Sequence, residues 1–201
     1  MSQPNQHLIL ASASPRRLDL LQQIGIVPAR VLPADIDETP QPREVPEAYV
    51  KRVAHEKLLA VLAALVGEDA SPDGRFVLAA DSIVAVGRRI LGKPRDAAEA
   101  ASFWRLYSGR RHRVYTAVAL ANPVDKIALR VVMTQVHIKQ LTAAEIDRYI
   151  ASNEWQGKAG GYAIQGRAEA LVKAVSGSIS NIIGLPLCVT RNLLIGNGWL
   201  E

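Results

Sequence analysis

Six consecutive residues, Ser12-Ala13-Ser14-Pro15-Arg16-Arg17, place two hydroxyls and two guanidinium groups where a short apolar run gives way to a helical pattern. A strand-to-helix junction exposes unpaired backbone N–H groups and the positive end of a helix dipole, both suited to an anion. Ser14 adds a hydroxyl, and Arg16 and Arg17 add forked donors that match phosphate oxygens. Taken alone, the six residues are as simply explained by a capped helix with solvated arginines.

A second constellation is Ala79-Ala80-Asp81-Ser82, where an apolar strand is expected to end in a carboxylate. Sites in α/β folds gather at the carboxyl ends of strands. Asp81 there could hold a divalent cation or take a proton from water, or simply form an Asx turn. Leu91-Gly92-Lys93-Pro94 follows closely and puts Lys93 on a constrained loop. The acidic run Asp35-Ile36-Asp37-Glu38 sets Asp35 and Asp37 on one side of an extended chain, and such oxygens suit Mg²⁺. A solvated loop is the plainer account of it. Between Glu154 and Gly166, glycines at 157, 160, 161 and 166 would let backbone approach a ligand. Lys158 in that stretch is a candidate phosphate or metal-shell partner. Gln165 carries both an amide donor and an acceptor, the equipment for reading a base edge. A flexible turn fits the same residues. The polar stretch Ser178-Ile179-Ser180-Asn181 reads as a loop entering the last helix. Neither a G-x-x-x-x-G-K-[ST] phosphate loop nor a G-x-S-x-G elbow occurs. His7, His55, His112 and His137 lack metal-ligand spacing and read as ordinary surface or core residues.

Alternating strands and helices must position these groups. Residues 7–11 read as a buried strand, and Ser14-Pro15 as the N-cap and first turn of a helix that Gly25 ends. A strand is expected over residues 29–34, then a proline-rich acidic loop to residue 43. Residues 46–66 form an amphipathic helix with Val50, Val53, Ala54, Leu58 and Val61 on its buried stripe and Gly67 closing it. A central strand over residues 76–80 continues through 83–86, and Gly87 turns the chain into Ile90-Leu91. Asp96 with Glu99, and Thr142 with Glu145, are capping-box pairs opening helices to about Tyr107 and Ala151. Residues 113–121 and 127–139 alternate with the strand period and are expected to pair. A late strand over residues 170–175 and a helix from Pro186 complete the chain. The alternation implies one α/β domain with a mixed sheet, residues 7–201, after a flexible N-terminus of residues 1–6.

Composition narrows the function. With 24 basic and 19 acidic residues the net charge is +5, compatible with a polyanionic partner. The basic residues form no long run and aromatics are only 5% of the chain, so stacking on nucleic acid is disfavoured. No stretch reaches the roughly 20 apolar residues of a membrane helix, and the uncharged polar start lacks the pattern of a secretory signal. A cytoplasmic location is expected. Cys188 is the only cysteine, so no internal disulfide forms; its apolar context reads as a small buried hydrophobe.

In order along the chain, these segments resemble the Maf family of nucleotide pyrophosphatases. The resemblance is carried by residues 12–17, 49–57, 80–82, 92–94, 108–116, 158–166 and 178–186. It implies an elongated mixed sheet flanked by helices, similar to inosine triphosphate pyrophosphatases, with two lobes around a cleft. It implies hydrolysis between the α- and β-phosphates with a divalent metal such as Mg²⁺, Mn²⁺ or Co²⁺. By position, Ser14, Arg16 and Arg17 would hold the triphosphate and Asp81 would accept the proton. Glu38, Lys57, Lys93 and Lys158 would complete the charged cleft, with Glu38 and Asp81 as the metal carboxylates. Arg16, Ser82 and Gln165 fall where the family sets its base preference, and Gly161-Tyr162-Ala163-Ile164-Gln165-Gly166 is similar to the branch acting on dTTP and UTP. A 7-methyl-GTP substrate and a regulator of cell division without turnover are the rival implications. The resemblance also admits a homodimer. Ser82 stands where threonine is usual, and Gly157 where many members carry an aspartate.

Overall fold

The computed structural model describes residues 7–66, 75–124 and 126–199. Among them, seven strands form one mixed sheet. β1 (His7–Ala11) lies between β2 (Arg30–Val31) and β3 (Arg75–Val86), parallel to both. β4 (Arg89–Leu91), β5 (Arg111–Ala121), β6 (Ile127–Ile138) and β7 (Val172–Ser176) add antiparallel pairings, in the order β2-β1-β3-β5-β6-β7 with β4 on β3.

Alternation along the strands sorts the core into faces. Ile9, Ala11, Val77, Ala79, Ile83 and Ala85 meet α2 (Pro46–Ala64) through Val50, Val53, Ala54 and Leu58. Leu8, Leu10, Phe76, Leu78 and Ala80 meet α1 (Pro15–Gln23) and α6 (Leu187–Gly196) on the other face. A separate cluster joins α3 (Ala97–Tyr107) and α4 (Ala143–Ala151) to Val84, Val114, Val136 and Ile138. α1, α2 and α6 cover the two faces of one stretch of the sheet and make one expected lobe; α3 and α4 make the other.

β3 is one uninterrupted strand of 12 residues, so Asp81 and Ser82 lie within it and do not end it. The reason is β5, which pairs with β3 continuously from Val77 to Ala85. On its other edge, β3 is paired with β1 only as far as Ala79 and with β4 only from Val84 onward. Residues 80–83 thus face a gap in the sheet. β1 leaves that gap into the Ser12–Arg17 segment, and β4 leaves it into Gly92-Lys93. Strand alternation turns Asp81 toward α2 and Ser82 toward α1.

Several expectations change in detail. β2 is two residues long because Pro33 has no N–H to extend the ladder. Residues 167–171 form a 3₁₀ turn, and the late strand starts at Val172. The supposed loop after Ser178 contains the helical turn α5 (Ile179–Ile183), because the Ser178 hydroxyl accepts from the Asn181 N–H and Gly184 closes the turn at φ 132°. Cys188 is exposed: Thr190, Leu193 and Leu194 supply the buried side of α6, and Cys188 is about 200° around from Thr190. Asp96 caps α3 through the Glu99 N–H, yet the Glu99 carboxylate takes the Arg95 N–H, so that box is not reciprocal; the Thr142–Glu145 box is. Gly67 and residues 1–6 lie outside the described residues. Among the described residues no helix is long and apolar enough to cross a membrane.

Candidate active site

The gap beside β3 opens into a cleft of about 670 Å³. Its walls bring together Ser14, Arg16, Arg17, Glu38, Lys57, Asp81, Ser82, Lys93, Lys158 and Gln165. Asp35 and Asp37 do not line it; Asp37 instead accepts from the Thr39 N–H at 2.8 Å.

Lys57 reaches the floor from α2. Its Nζ donates to Asp81 Oδ1 at 2.8 Å and to Glu38 Oε1 at 2.8 Å. Tyr49, two turns earlier on the same helix, donates its hydroxyl to the Glu38 carbonyl at 2.7 Å and so fixes the acidic loop. Burial raises the Tyr49 phenol well above its ordinary value, and the charges of Asp81 and Glu38 raise it further. Asp81 is buried, and its Oδ2 has no hydrogen-bond partner among the described residues. A buried acceptor left open in a charged cleft calls for a proton, a water or a cation.

Arg17 lines the cleft and is itself held by three hydrogen bonds. Its Nε donates to the Gly184 carbonyl at 2.9 Å, one terminal nitrogen to Ser12 Oγ at 2.8 Å and the other to Ser82 Oγ at 3.3 Å. Ser82 Oγ in turn shares a 2.8 Å hydrogen bond with Thr116 Oγ1, which donates to the Asn181 carbonyl. Arg17 is therefore a buried clasp joining β1, β3 and the α5–α6 turn. Burial lowers its pKa and the Asp81 charge partly restores it. Arg16, one residue earlier, is half-buried, and its side chain makes no hydrogen bond among the described residues; it is the guanidinium free to meet a ligand. Ser14 occupies the N-cap position, but its hydroxyl caps nothing and remains available to the cleft.

Lys93 enters from the turn after β4, and Lys158 and Gln165 from the glycine-rich segment opposite. Burial lowers the Lys158 ammonium, and the nearby Arg16 charge adds to the effect. Five cationic side chains thus face two carboxylates, a balance that favours a multiply charged anion. Sequence reasoning missed the partners that hold this array: Tyr49, Thr116, Asn181 and Gly184. Each lies in a segment that carries the family resemblance, and Asn181 and Gly184 also lie in the polar stretch before Leu185-Pro186, but none of the four was given a role there.

The fold and cleft define an α/β domain built to bind a polyanion beside an open carboxylate. Residues 7–196 match the family of Maf-like proteins. Over 200 residues the chain is 50% identical to the dTTP/UTP pyrophosphatase of Rhizobium meliloti, covering 96% of this chain and 97% of that protein. It is 53% identical over 192 residues to the dTTP/UTP pyrophosphatase of Rhodospirillum rubrum, covering 96% and 88%. This chain belongs to the Maf-like protein family. Among solved structures, the Staphylococcus aureus Ham1 protein overlays 66% of this chain and 72% of its own at a TM-score of 0.44 and 16% identity. A HAM1 protein from Coxiella burnetii overlays 66% and 73% at a TM-score of 0.40 and 18% identity.

Proposed function

We propose that this protein is a cytoplasmic nucleoside triphosphate pyrophosphatase that converts dTTP and UTP to the monophosphate and pyrophosphate. The observation that carries the reading is the buried Asp81 carboxylate, anchored by Lys57 through one oxygen and open through the other, in a cleft rich in cations. The names of relatives at about 50% identity support the choice of substrate.

The reaction follows from the placement of the groups. Arg16, Lys93 and Lys158 neutralise the triphosphate, while Ser14 and the backbone at the start of α1 donate to its oxygens. Lys57 holds Oδ1, so Oδ2 is the end of Asp81 that accepts a proton from the attacking water. The water oxygen bonds to the α-phosphorus, the bond from that phosphorus to the α–β bridging oxygen breaks, and its electron pair leaves with pyrophosphate. Gln165 pairs with the N3–H and a carbonyl of uracil or thymine.

A divalent cation fits the residues present. Among the described residues no group of three or more His, Cys, Asp or Glu side chains could hold one. Mg²⁺ commonly takes one or two carboxylates and completes its shell with substrate phosphates and water. Asp81 and Glu38 would be those carboxylates. Bound there, the cation would shield charge on the departing pyrophosphate. The choice among Mg²⁺, Mn²⁺ and Co²⁺ is open to experiment, as is a homodimer.

The test is a panel of nucleoside triphosphates with each metal, the products resolved by phosphorus NMR. Monophosphate plus pyrophosphate, with dTTP and UTP leading and EDTA abolishing turnover, is expected. Orthophosphate plus diphosphate as main products, or preference for 7-methyl-GTP, would overturn the reading.

A further inference from the structure

Outside the charged residues, the densest run of unusual contacts lies behind the glycine-rich segment. Four successive residues are each held by a different aromatic side chain of the neighbouring lobe. Tyr107 donates its hydroxyl to the Gly160 carbonyl at 2.9 Å, and Trp104 its indole N–H to the Gly161 carbonyl at 3.3 Å. The Tyr162 hydroxyl meets His112 Nε2 at 2.8 Å. The Ala163 N–H donates to the Tyr149 hydroxyl at 3.1 Å. The rings also brace one another: Trp104 lies 4.5 Å from Tyr149 and Tyr107 lies 4.4 Å from His112, centroid to centroid.

The frame has features that core packing alone would not require. Trp104, Tyr107 and Tyr149 use their polar tips on backbone, where apolar rings would fill the same space. His112 is buried, and its Nδ1 has no partner among the described residues. A buried polar group without a partner has a cost that an apolar core would avoid. Gly160 sits at φ 71°, and a Cβ there would overlap the Val84 side chain and crowd the Tyr107 hydroxyl. Its N–H also donates to the Gly92 carbonyl at 2.9 Å, beside Lys93. The segment is therefore tied both to α3, β5 and α4 and to the loop bearing Lys93. Two residues beyond the last anchor stands Gln165, exposed to the cleft.

We infer that Trp104, Tyr107, His112 and Tyr149 form a positioning frame for base selectivity: they hold the backbone of residues 160–163 in one conformation so that Gln165 presents its amide in a fixed orientation. None of the four touches the nucleotide on this view. A hydrogen-bonding site discriminates between bases only if its donor and acceptor cannot shift to suit the wrong partner. The inference rests on the nucleotide-hydrolase reading but not on which base is preferred.

Tyr107→Phe and Tyr149→Phe each delete one anchor and keep the ring. The readout is the ratio of kcat/KM for the best substrate to that for the other triphosphates, whichever base the wild type favours. Each variant is expected to lower the ratio by at least about fivefold, on the scale of one lost hydrogen bond. Saturating kcat on the best substrate should stay within about threefold, because Asp81 and the cationic cluster are untouched. Amide exchange over residues 160–165 should quicken. Leu120→Ala, a distant core change, should lower thermal stability without moving the ratio. An unchanged ratio in both Phe variants overturns the frame. So does failure of both to fold, which would make the anchors a requirement of the core. If the wild type hydrolyses no triphosphate, the functional reading falls instead, a result that the first panel separates from the second.

Discussion

Replacing Asp81 by asparagine isolates the chemistry of one oxygen. The amide is nearly isosteric, so its carbonyl can still accept from Lys57 Nζ, now 2.8 Å from Oδ1. The NH₂ group then occupies the place of Oδ2, which has no partner among the described residues. A donor stands where an acceptor stood, and water can no longer lose its proton to it. Turnover should fall by roughly 10²-fold or more, the scale for losing a general base. Stability should change less. Two unit charges at this spacing attract by about 6 kcal/mol at an effective dielectric of about 20, but both lose hydration on burial. Lys57 also keeps Glu38 at 2.8 Å. The net loss should be about 1–3 kcal/mol, as for a hydrogen bond to a charged group. Pyrophosphate release and urea unfolding measure the two quantities separately. A folded Asp81→Asn protein with turnover within tenfold of wild type would refute the reasoning and leave Asp81 as a structural partner of Lys57.

Gln165→Glu should lower kcat/KM for dTTP and UTP by at least roughly tenfold, because a carboxylate repels the base carbonyl beside N3–H; steady-state kinetics on both substrates check this. Arg17→Lys keeps the charge but cannot reproduce donors from three nitrogens to Gly184, Ser12 and Ser82. A loss of about 2–4 kcal/mol in urea unfolding is expected, and a loss below about 1 kcal/mol would mean the clasp is slack. Burial lowers the His112 pKa to about 3. The folded state therefore resists a proton that the unfolded chain takes up below about pH 6.5, so the stabilising effect is complete above that pH and is lost on acidification. Between about pH 6.5 and pH 3 this group should make stability fall by about 1.4 kcal/mol per pH unit, and His112→Gln should remove that slope from unfolding curves taken at several pH values.

Local chemistry made much of the fold legible. Ser14-Pro15 begins α1, Gly25 turns at φ 75° after it, and Thr142 and Glu145 cap α4 reciprocally. Each signal is satisfied within a few residues of itself, so the chain nearby suffices to read it. Ser14, Arg16, Arg17, Lys93, Lys158 and Gln165 stood out because they lie by a helix start or by glycines, whereas Lys57 was implied only by the family resemblance, as was the cleft role of Glu38; all ten site residues line the cleft.

What the sequence by itself could not decide was which of those groups would be free. Arg16 and Arg17 are adjacent and chemically identical and both line the cleft, yet the Arg17 guanidinium is bound to Gly184, 167 residues away, and that of Arg16 is not. The short turn α5 and the exposed side of Cys188 likewise depend on which surface the last helix lays against the sheet. Asp81 looked like the end of a strand and lies in the middle of one, because the gap that exposes it comes from where β1 stops and β4 starts. The pairing of Lys57 with Asp81 follows from strand alternation meeting a helix stripe on the same face of the sheet. Residue types specify what a group can do within a few bonds of itself. Its partners, and so its protonation, orientation and freedom, are set by registers and packing that only the folded chain brings together.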